Sequence, residues 1–420
     1  MKVTHISSSN IYSGSGRAAY RIHTALKEAG VDSRLLVLNK FSDDRDTKTV
    51  TDTWAQKILK KVRPRYEKAI LNLYKRREKK PFSIASRGIN ITKEKAVKDS
   101  DIINLHWINK SFLSLKSIKQ IGKLNKPIVW TLHDMWAFTG GCHYSNGCIG
   151  YENLCGQCPI LGSKKSNDLS REILSRKISV FKDLNLTIVT PSNWLADCAR
   201  KSTLFKNSKI EVIPYPIDTK IFKPVGKDTA RKILNLPERK LLVLFSISPT
   251  ASKERKGINS LIESLLFIER KYPKLAGKTE LLIMGINRFD KIERLSFKVH
   301  FLGVLYDDIT ISLYYNAADI FILPSTEDNL PNTVIESLSC GTPALGFKVG
   351  GVPDIISHKK NGYLAEPHNI EDLEEGLNWV LEDKNKLARL EKNAREKVLK
   401  NYTYEIIGQK YLDLYESLLK

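Results

Sequence analysis

Short runs rich in Val, Ile and Leu alternate with longer amphipathic segments along this chain, stop at a proline-punctuated stretch near its middle, and then start again. The first series comprises Val3 to Ser7, Ser33 to Leu38, Ile102 to His106, Ile128 to His133 and Thr187 to Thr190, with a helix expected from about Gly16 to Ala29. Continuously apolar strands separated by helical segments predict a parallel sheet covered on both faces. Ile210 to Pro214, Tyr215-Pro216-Ile217-Asp218-Thr219 and Phe222-Lys223-Pro224 read as an exposed crossing between domains. Beyond it come Leu241 to Ile247, a helix from about Ile258, Glu280 to Met284, His300 to Leu302, Asp319 to Leu323 and Pro343 to Phe347. The expected fold is α/β with two Rossmann-like domains, 1–214 and 215–400, and a tail over 401–420 whose Ile406, Ile407, Tyr411, Leu414, Tyr415 and Leu418 share a stripe. A length of 420 residues suits two cores rather than one.

Charge narrows the partners. The formal net charge is +22, and residues 55–80 carry eleven Lys or Arg against two Glu, with Ile58, Leu59, Val62, Tyr66, Ile70, Leu71 and Tyr74 interleaved at near-helical spacing. Pro64 is expected to break or restart a helix there. Such a basic amphipathic segment fits an anionic membrane surface, each cation near it contributing about 1 kcal/mol, and equally fits a solvated helix packed on its own domain. No zinc-finger, RNP or helix-turn-helix pattern accompanies the charge, so nucleic acid is not an expected partner. The chain enters a strand directly from Met1 and has no apolar run long enough to span a bilayer, which predicts a cytoplasmic protein, peripheral on the inner face of the plasma membrane.

The stretch 318–354 carries most of the chemistry. It reads as a buried strand, an acidic loop, a helix opening near Leu330, a Gly-Thr-Pro stop, a second strand, and the pair Gly350-Gly351 entering another helix. Carboxylates and glycines thus fall at the carboxyl ends of parallel strands, where ligands bind. Asp328 and Glu336, eight apart, can face one pocket. Gly14-Ser15-Gly16 follows the first strand and opens the first helix, where small residues let backbone N–H groups approach an anion or a sugar. A complete Gly-x-Gly-x-x-Gly is lacking, against a nicotinamide dinucleotide site. His133-Asp134 ends another strand, and Lys253-Glu254-Arg255-Lys256-Gly257 follows the first strand of the second half, cations suited to a diphosphate.

Pro324-Ser325, the acidic pair spaced by seven residues, Ser-Leu-Ser-Cys-Gly-Thr-Pro and Gly350-Gly351-Val-Pro-Asp together resemble the retaining glycosyltransferases of family four. The first acid is Asp328, with Glu327 before it, where that family usually has Glu. Lys256-Gly257 resembles its Lys-Gly, Arg255 or Lys253 standing in for an earlier Arg. The resemblance implies the GT-B fold, two Rossmann-like domains facing across a cleft with the last helix crossing back onto the first. It implies that a nucleoside-diphosphate sugar binds mainly in the second domain and an acceptor hydroxyl enters from the first. By the same resemblance His133 contacts the donor sugar, Glu327 or Asp328 takes the first-acid role and Lys256 stabilises the leaving group. Gly14, Gly16, Lys253, Arg255, Glu336, Gly350 and Gly351 bind the donor, Glu336 holding the ribose hydroxyls. No metal cofactor is required for the transfer so implied. Asp44-Arg45-Asp46 and Asp99-Ser100-Asp101 have Asp-x-Asp spacing but do not look like metal-diphosphate sites.

Cys142, Cys148, Cys155 and Cys158 concentrate four of the six cysteines in an insertion over 140–160. In a reducing compartment four thiolates fit one structural Zn²⁺, while a redox-sensitive or disulfide pair and free thiols remain open. The insertion is similar to that of colanic-acid-type exopolysaccharide transferases, which implies a glycan or lipid-linked glycan acceptor in cell-surface polysaccharide assembly. The alternative reading is a catalytically silent GT-B subunit that binds membrane or a partner glycosyltransferase.

Overall fold

The computed structural model describes residues 1–50, 54–248, 252–289 and 291–420, those of 54–61 by their backbone. It divides into two compact units, Met1–Pro214 with Gly408–Lys420, and Tyr215–Ile407.

The first unit holds β1 (Lys2–Ser9), β2 (Asp32–Asn39), β3 (Thr47–Thr49), β4 (Ile102–Leu105), β5 (Ile128–Thr131), β6 (Leu186–Thr190) and β7 (Ile210–Val212). They form one sheet in the order β3-β2-β1-β4-β5-β6-β7, every pairing parallel. Ile6, Ile103, Leu105, Trp130 and Ile188 are buried in one apolar cluster between strands and helices. Each such side chain contributes roughly 1.5–3 kcal/mol by leaving water.

The second unit holds β8 (Leu241–Ser246), β9 (Thr279–Met284), β10 (Lys298–Gly303), β11 (Ile320–Leu323), β12 (Ala344–Phe347) and β13 (Gly362–Ala365). Its parallel sheet runs β10-β9-β8-β11-β12-β13 over a core that includes Val243, Phe245, Leu281, Ile320, Ile322 and Leu345. Both units are therefore Rossmann-like layers, the architecture of the GT-B fold class.

Several expectations need correction. Ile210–Val212 is not yet crossing: it pairs with β6 as the last strand of the first sheet. Two strands went unforeseen, polar β3 at a sheet edge and β13, which opens on a glycine. The helix Trp54–Asn72 runs through Pro64 without stopping. Proline forfeits one intrahelical bond there, but Leu71 and Glu67 are both buried, and this packing holds the later turns. Val62 and Tyr66 of the proposed apolar stripe stay well exposed, and the side chains of Ile58 and Leu59 lie outside the described residues. The helix expected near Leu330 starts at Asn332, because Pro331 occupies the N-cap with extended backbone.

The tail forms a helix, Tyr404–Leu419. Tyr411 and Tyr415, one turn apart on its apolar face, are fully buried in the first unit. Their hydroxyls meet Thr131 Oγ1 at 3.3 Å and Asn104 Nδ2 at 2.6 Å, so two polar side chains in β4 and β5 are satisfied from the last helix. Among the described residues no helix is long and apolar enough to cross a membrane.

Candidate functional site

In each sheet the first strand, β1 or β8, has its sequence successor on one side and a later strand, β4 or β11, on the other. Connections leave such a pair in opposite directions and open a crevice at the carboxyl ends. Most candidate residues lie in loops that follow the carboxyl ends of these strands or of the strand beside them.

In the second unit the loops after β8, β11 and β12 meet. Asp328 is buried and accepts from Lys256 Nζ at 2.6 Å, Ser325 Oγ at 3.2 Å and its neighbour's N–H, that of Asn329, at 3.2 Å. Arg255 stands 3.5 Å from the other carboxylate oxygen and donates to the Glu327 carbonyl at 2.8 Å. Burial pushes the Asp328 carboxyl up, but Lys256 and Arg255 outweigh it and hold the group below its ordinary value. Burial also draws the Lys256 ammonium down, against the pull of Asp328. Two cations thus share one carboxylate, leaving an excess of positive charge on the loop that opens the helix Ile258–Lys271.

Glycines make this convergence possible. Gly257 has φ +71°, and a Cβ there would sit 1.6 Å from the Pro324 carbonyl oxygen. Gly350 has φ +53° and its Cβ would sit 1.8 Å from the Asp328 carbonyl oxygen, which also accepts from Gly351 N–H at 3.0 Å. Only glycine tolerates both the left-handed backbone and the approach. The helix after Gly351, Val352–Ile355, has a single turn, so its dipole adds little; the pair matters for backbone proximity. Glu336 lies in the helix Asn332–Ser339, buried, its carboxylate accepting from Tyr315 Oη at 3.0 Å. Lysine, arginine, the Glu327 backbone, Asp328, Gly350 and Gly351 are therefore brought together, while Lys253 stands exposed on the same loop without a hydrogen bond or ion pair to that cluster among the described residues.

In the first unit Ser13 caps the helix Gly14–Glu28 by accepting from Gly16 N–H. A Cβ on Gly16 would meet the Asn10 carbonyl oxygen at 2.3 Å, which explains the small residue. His133 follows β5 and hydrogen bonds through Nε2 to His106 Nδ1 at 3.0 Å. Burial pulls its pKa down to about 4, so the ring is neutral at physiological pH. Asp134 accepts from His143 Nδ1 at 2.6 Å, Trp107 Nε1 at 2.8 Å and the Trp136 N–H at 2.9 Å. Through His143 the cysteine-rich insertion is tied to the strand end that carries His133.

Cys142, Cys148, Cys155 and Cys158 all line one cavity of about 20 Å³, with Phe82, Tyr151 and Ile160 among its walls. None is in a disulfide. Burial pushes Cys142 up to about 12 and Cys155 up to about 11. Among the described residues no three Cys, His, Asp or Glu side chains are gathered closely enough to form a ready metal centre. Asp44 of the first Asp-x-Asp pairs with Lys27 and Thr47 instead.

Sequence reasoning passed over His5, His106, Trp107, His143 and Tyr315. Two of them had a legible sign: His5 interrupts an apolar strand and His106 directly follows one, where a buried polar side chain needs a partner.

Residues 12–221, half of the 420, match the family model described as Glycosyltransferase Family 4, and residues 226–397 match that described as Glycosyl transferases group 1. An N,N'-diacetylbacillosaminyl-diphospho-undecaprenol alpha-1,3-N-acetylgalactosaminyltransferase of Campylobacter jejuni is 29% identical over 225 residues, 51% of this chain and 56% of that protein. The putative colanic acid biosynthesis glycosyl transferase WcaC of Escherichia coli is 24% identical over 280 residues, 63% of this chain and 64% of that one. The chain spans about half the length of the curated relatives it matches. Among solved structures, a sucrose-phosphate synthase from Thermosynechococcus elongatus aligns over 100% of this chain and 99% of its own at TM-score 0.65 and 19% identity. An Anabaena protein in complex with UDP and glucose aligns over 99% and 100% at TM-score 0.63 and 17% identity. At such identities the likeness speaks for the fold. The chain belongs to glycosyltransferase family 4.

Proposed function

From that membership we propose that the chain moves a sugar, with its anomeric configuration kept, from a nucleoside-diphosphate sugar to a hydroxyl of a glycan acceptor, lipid-linked in cell-surface polysaccharide assembly. The observation that carries the reading is the Lys256–Asp328–Arg255 cluster beside Gly350 and Gly351 at the carboxyl edge of β8, β11 and β12. As the bond from the anomeric carbon to the leaving oxygen lengthens, negative charge grows on the diphosphate. Lys256 and Arg255 neutralise that charge from a partly buried position, where it counts for more than in water. Asp328 fixes the lysine in place, and Glu336 accepts the ribose hydroxyls. His133, neutral, offers a hydrogen bond to the sugar. The acceptor proton passes to the leaving phosphate on the face where the new bond forms, so no strong protein base is needed. The cations do the work that a divalent metal does elsewhere, and transfer is expected to survive chelation.

The membrane reading draws on a cavity of about 1050 Å³ in the first unit. Lys75, Arg76, Lys164, Lys165 and Arg171 line it, and Leu73, also a lining residue, is 78% exposed. Cations around an exposed leucine suit an anionic bilayer surface that brings a lipid-linked acceptor within reach. Co-sedimentation with vesicles rich in anionic lipid should weaken as salt rises, and charge neutralisation at Lys75, Arg76, Lys164 and Lys165 should abolish it; unchanged binding rejects this surface.

A panel of nucleotide sugars, read by release of the nucleoside diphosphate, tests the enzyme reading. One donor should be turned over slowly without acceptor, and Lys256→Ala and Glu336→Ala should lose that turnover. No turnover and no nucleotide binding across the panel would favour the silent subunit.

A further inference from the structure

We propose that Tyr12 and Phe41 form an aromatic platform that seats one pyranose ring of a glycan acceptor. The two side chains stand on the loops that leave the parallel strands β1 and β2 at their carboxyl ends, the edge where ligands bind in such sheets. Their ring centroids are 4.8 Å apart at an interplanar angle of 20°. The stacked pair Phe181 and Phe205 is buried in the core of the same unit. Tyr12 and Phe41 instead lie in the open, at 42% and 49% exposure. Stacking covers one face of each ring and leaves apolar surface to water, which calls for a ligand.

The two rings are held in register by a buried amide. Asn10, fully buried, accepts the Phe41 N–H at 2.8 Å through Oδ1 and donates from Nδ2 to Ser42 Oγ at 2.6 Å. One side chain from the loop after β1 thus clamps the loop after β2. Ser13, next to Tyr12, is fixed as well, since it caps the helix Gly14–Glu28 by accepting from Gly16 N–H. The platform is therefore set before any ligand arrives, and binding costs little ordering of side chains.

Size and surroundings select the occupant. Two rings exposed to this degree present on the order of 200 Å², against about 800 Å² per partner in a standard protein interface. Residues 40–46 carry two cations and three carboxylates, so this loop gives an anionic bilayer no net attraction. The sequence neighbours are polar and at least partly exposed: Ser13 and Ser15 on one loop, Ser42 and Asp43 on the other. A pyranose suits that mixture. Its C–H face, slightly positive, lies against the electron-rich face of an aromatic ring, and its hydroxyls find the polar rim. The cations assigned to the donor, Lys256 and Arg255, belong to the second unit, so the nucleotide has a place of its own. That the sugar belongs to the acceptor rests on the proposed function; the affinity of the rings for a pyranose does not.

Methyl glycosides of glucose, galactose, mannose, N-acetylglucosamine and N-acetylgalactosamine are the probes, titrated against the full chain labelled with ¹³C in its tyrosine and phenylalanine rings. At least one should shift the Tyr12 and Phe41 signals together and saturably, with a Kd on the order of millimolar. Tyr12→Ala and Phe41→Ala should each weaken that binding about fivefold or more, while Tyr12→Phe, which keeps the ring, should bind as the wild type does. No saturable shift from any glycoside overturns the proposal. So do shifts seen only with uridine or guanosine, with anionic vesicles, or with rising concentration of the chain itself, which assign the rings to a base, a membrane or a second copy. Should an alanine variant not fold, the wild-type titration still decides. A chain that shows the expected shifts but turns over no donor contradicts the proposed function and leaves the platform standing. One that releases nucleotide while its rings ignore every glycoside overturns the platform alone.

Discussion

At the scale of single residues, the site is held by groups whose burial is compensated by a partner. Asp328 has a folded pKa below its unfolded value, so the stability it brings is present above about pH 4 and is lost as pH falls through the folded value. Asp328→Asn leaves the part-buried Lys256 without its counter-charge, and urea unfolding should show a loss of about 1–3 kcal/mol. The buried histidines have the same sign by a different route. His23 and His133 are both pulled down to about 4, so between about 6.5 and 4 the unfolded chain binds protons that the folded one refuses. Stability should therefore fall as pH drops from about 6.5, by about 2 kcal/mol per imidazole at pH 5. Unfolding midpoints measured across that range check this, and a flat profile would contradict it.

At the scale of elements, the loops hold the site and glycines hold the loops. Gly257→Ala should misplace Lys256 and abolish nucleotide binding measured by calorimetry, because neither the backbone angle nor the Pro324 carbonyl leaves room for a methyl group. Tyr415→Phe should cost about 1–3 kcal/mol, read by thermal unfolding, since Asn104 Nδ2 loses its partner in the core. In the Cys142–Cys158 excursion the four thiols share one cavity, although among the described residues no three potential metal ligands are gathered closely enough to form a ready centre. A structural Zn²⁺ there would appear as one zinc per chain in elemental analysis of chain purified without chelator or affinity-tag metal; much less than one leaves the thiols as cavity lining. The apolar strands were legible in sequence because burial on both faces writes them as continuous Val, Ile and Leu runs. Thr47–Thr49 and Gly362–Ala365 were not, since a polar edge strand and a glycine-led one lack that pattern. Pro64 misled because tertiary packing overrode a local preference.

At the scale of the whole molecule, two Rossmann-like units follow from an alternation that restarts after residue 214, and the tail helix from Gly408 onward belongs to the first unit, where Tyr411 and Tyr415 are held. The Lys256-Gly257, Asp328 and Gly350-Gly351 motifs were readable because each lies at the end of a recognisable strand. Their mutual contacts were not, nor was the stacking of Tyr12 on Phe41, since both depend on which strands become neighbours. The same limit applies to the cation-lined cavity, whose residues come from separate stretches at 70–76 and 161–172. The central claim is that the cations beside Asp328 hold the diphosphate of an activated sugar. Nucleoside-diphosphate release from a full donor panel, in the wild type and in Lys256→Ala, tests it most directly. One donor turned over by the wild type and at least about a hundredfold slower in the variant is the predicted result. Equal release by both chains, or none from any donor, would contradict it.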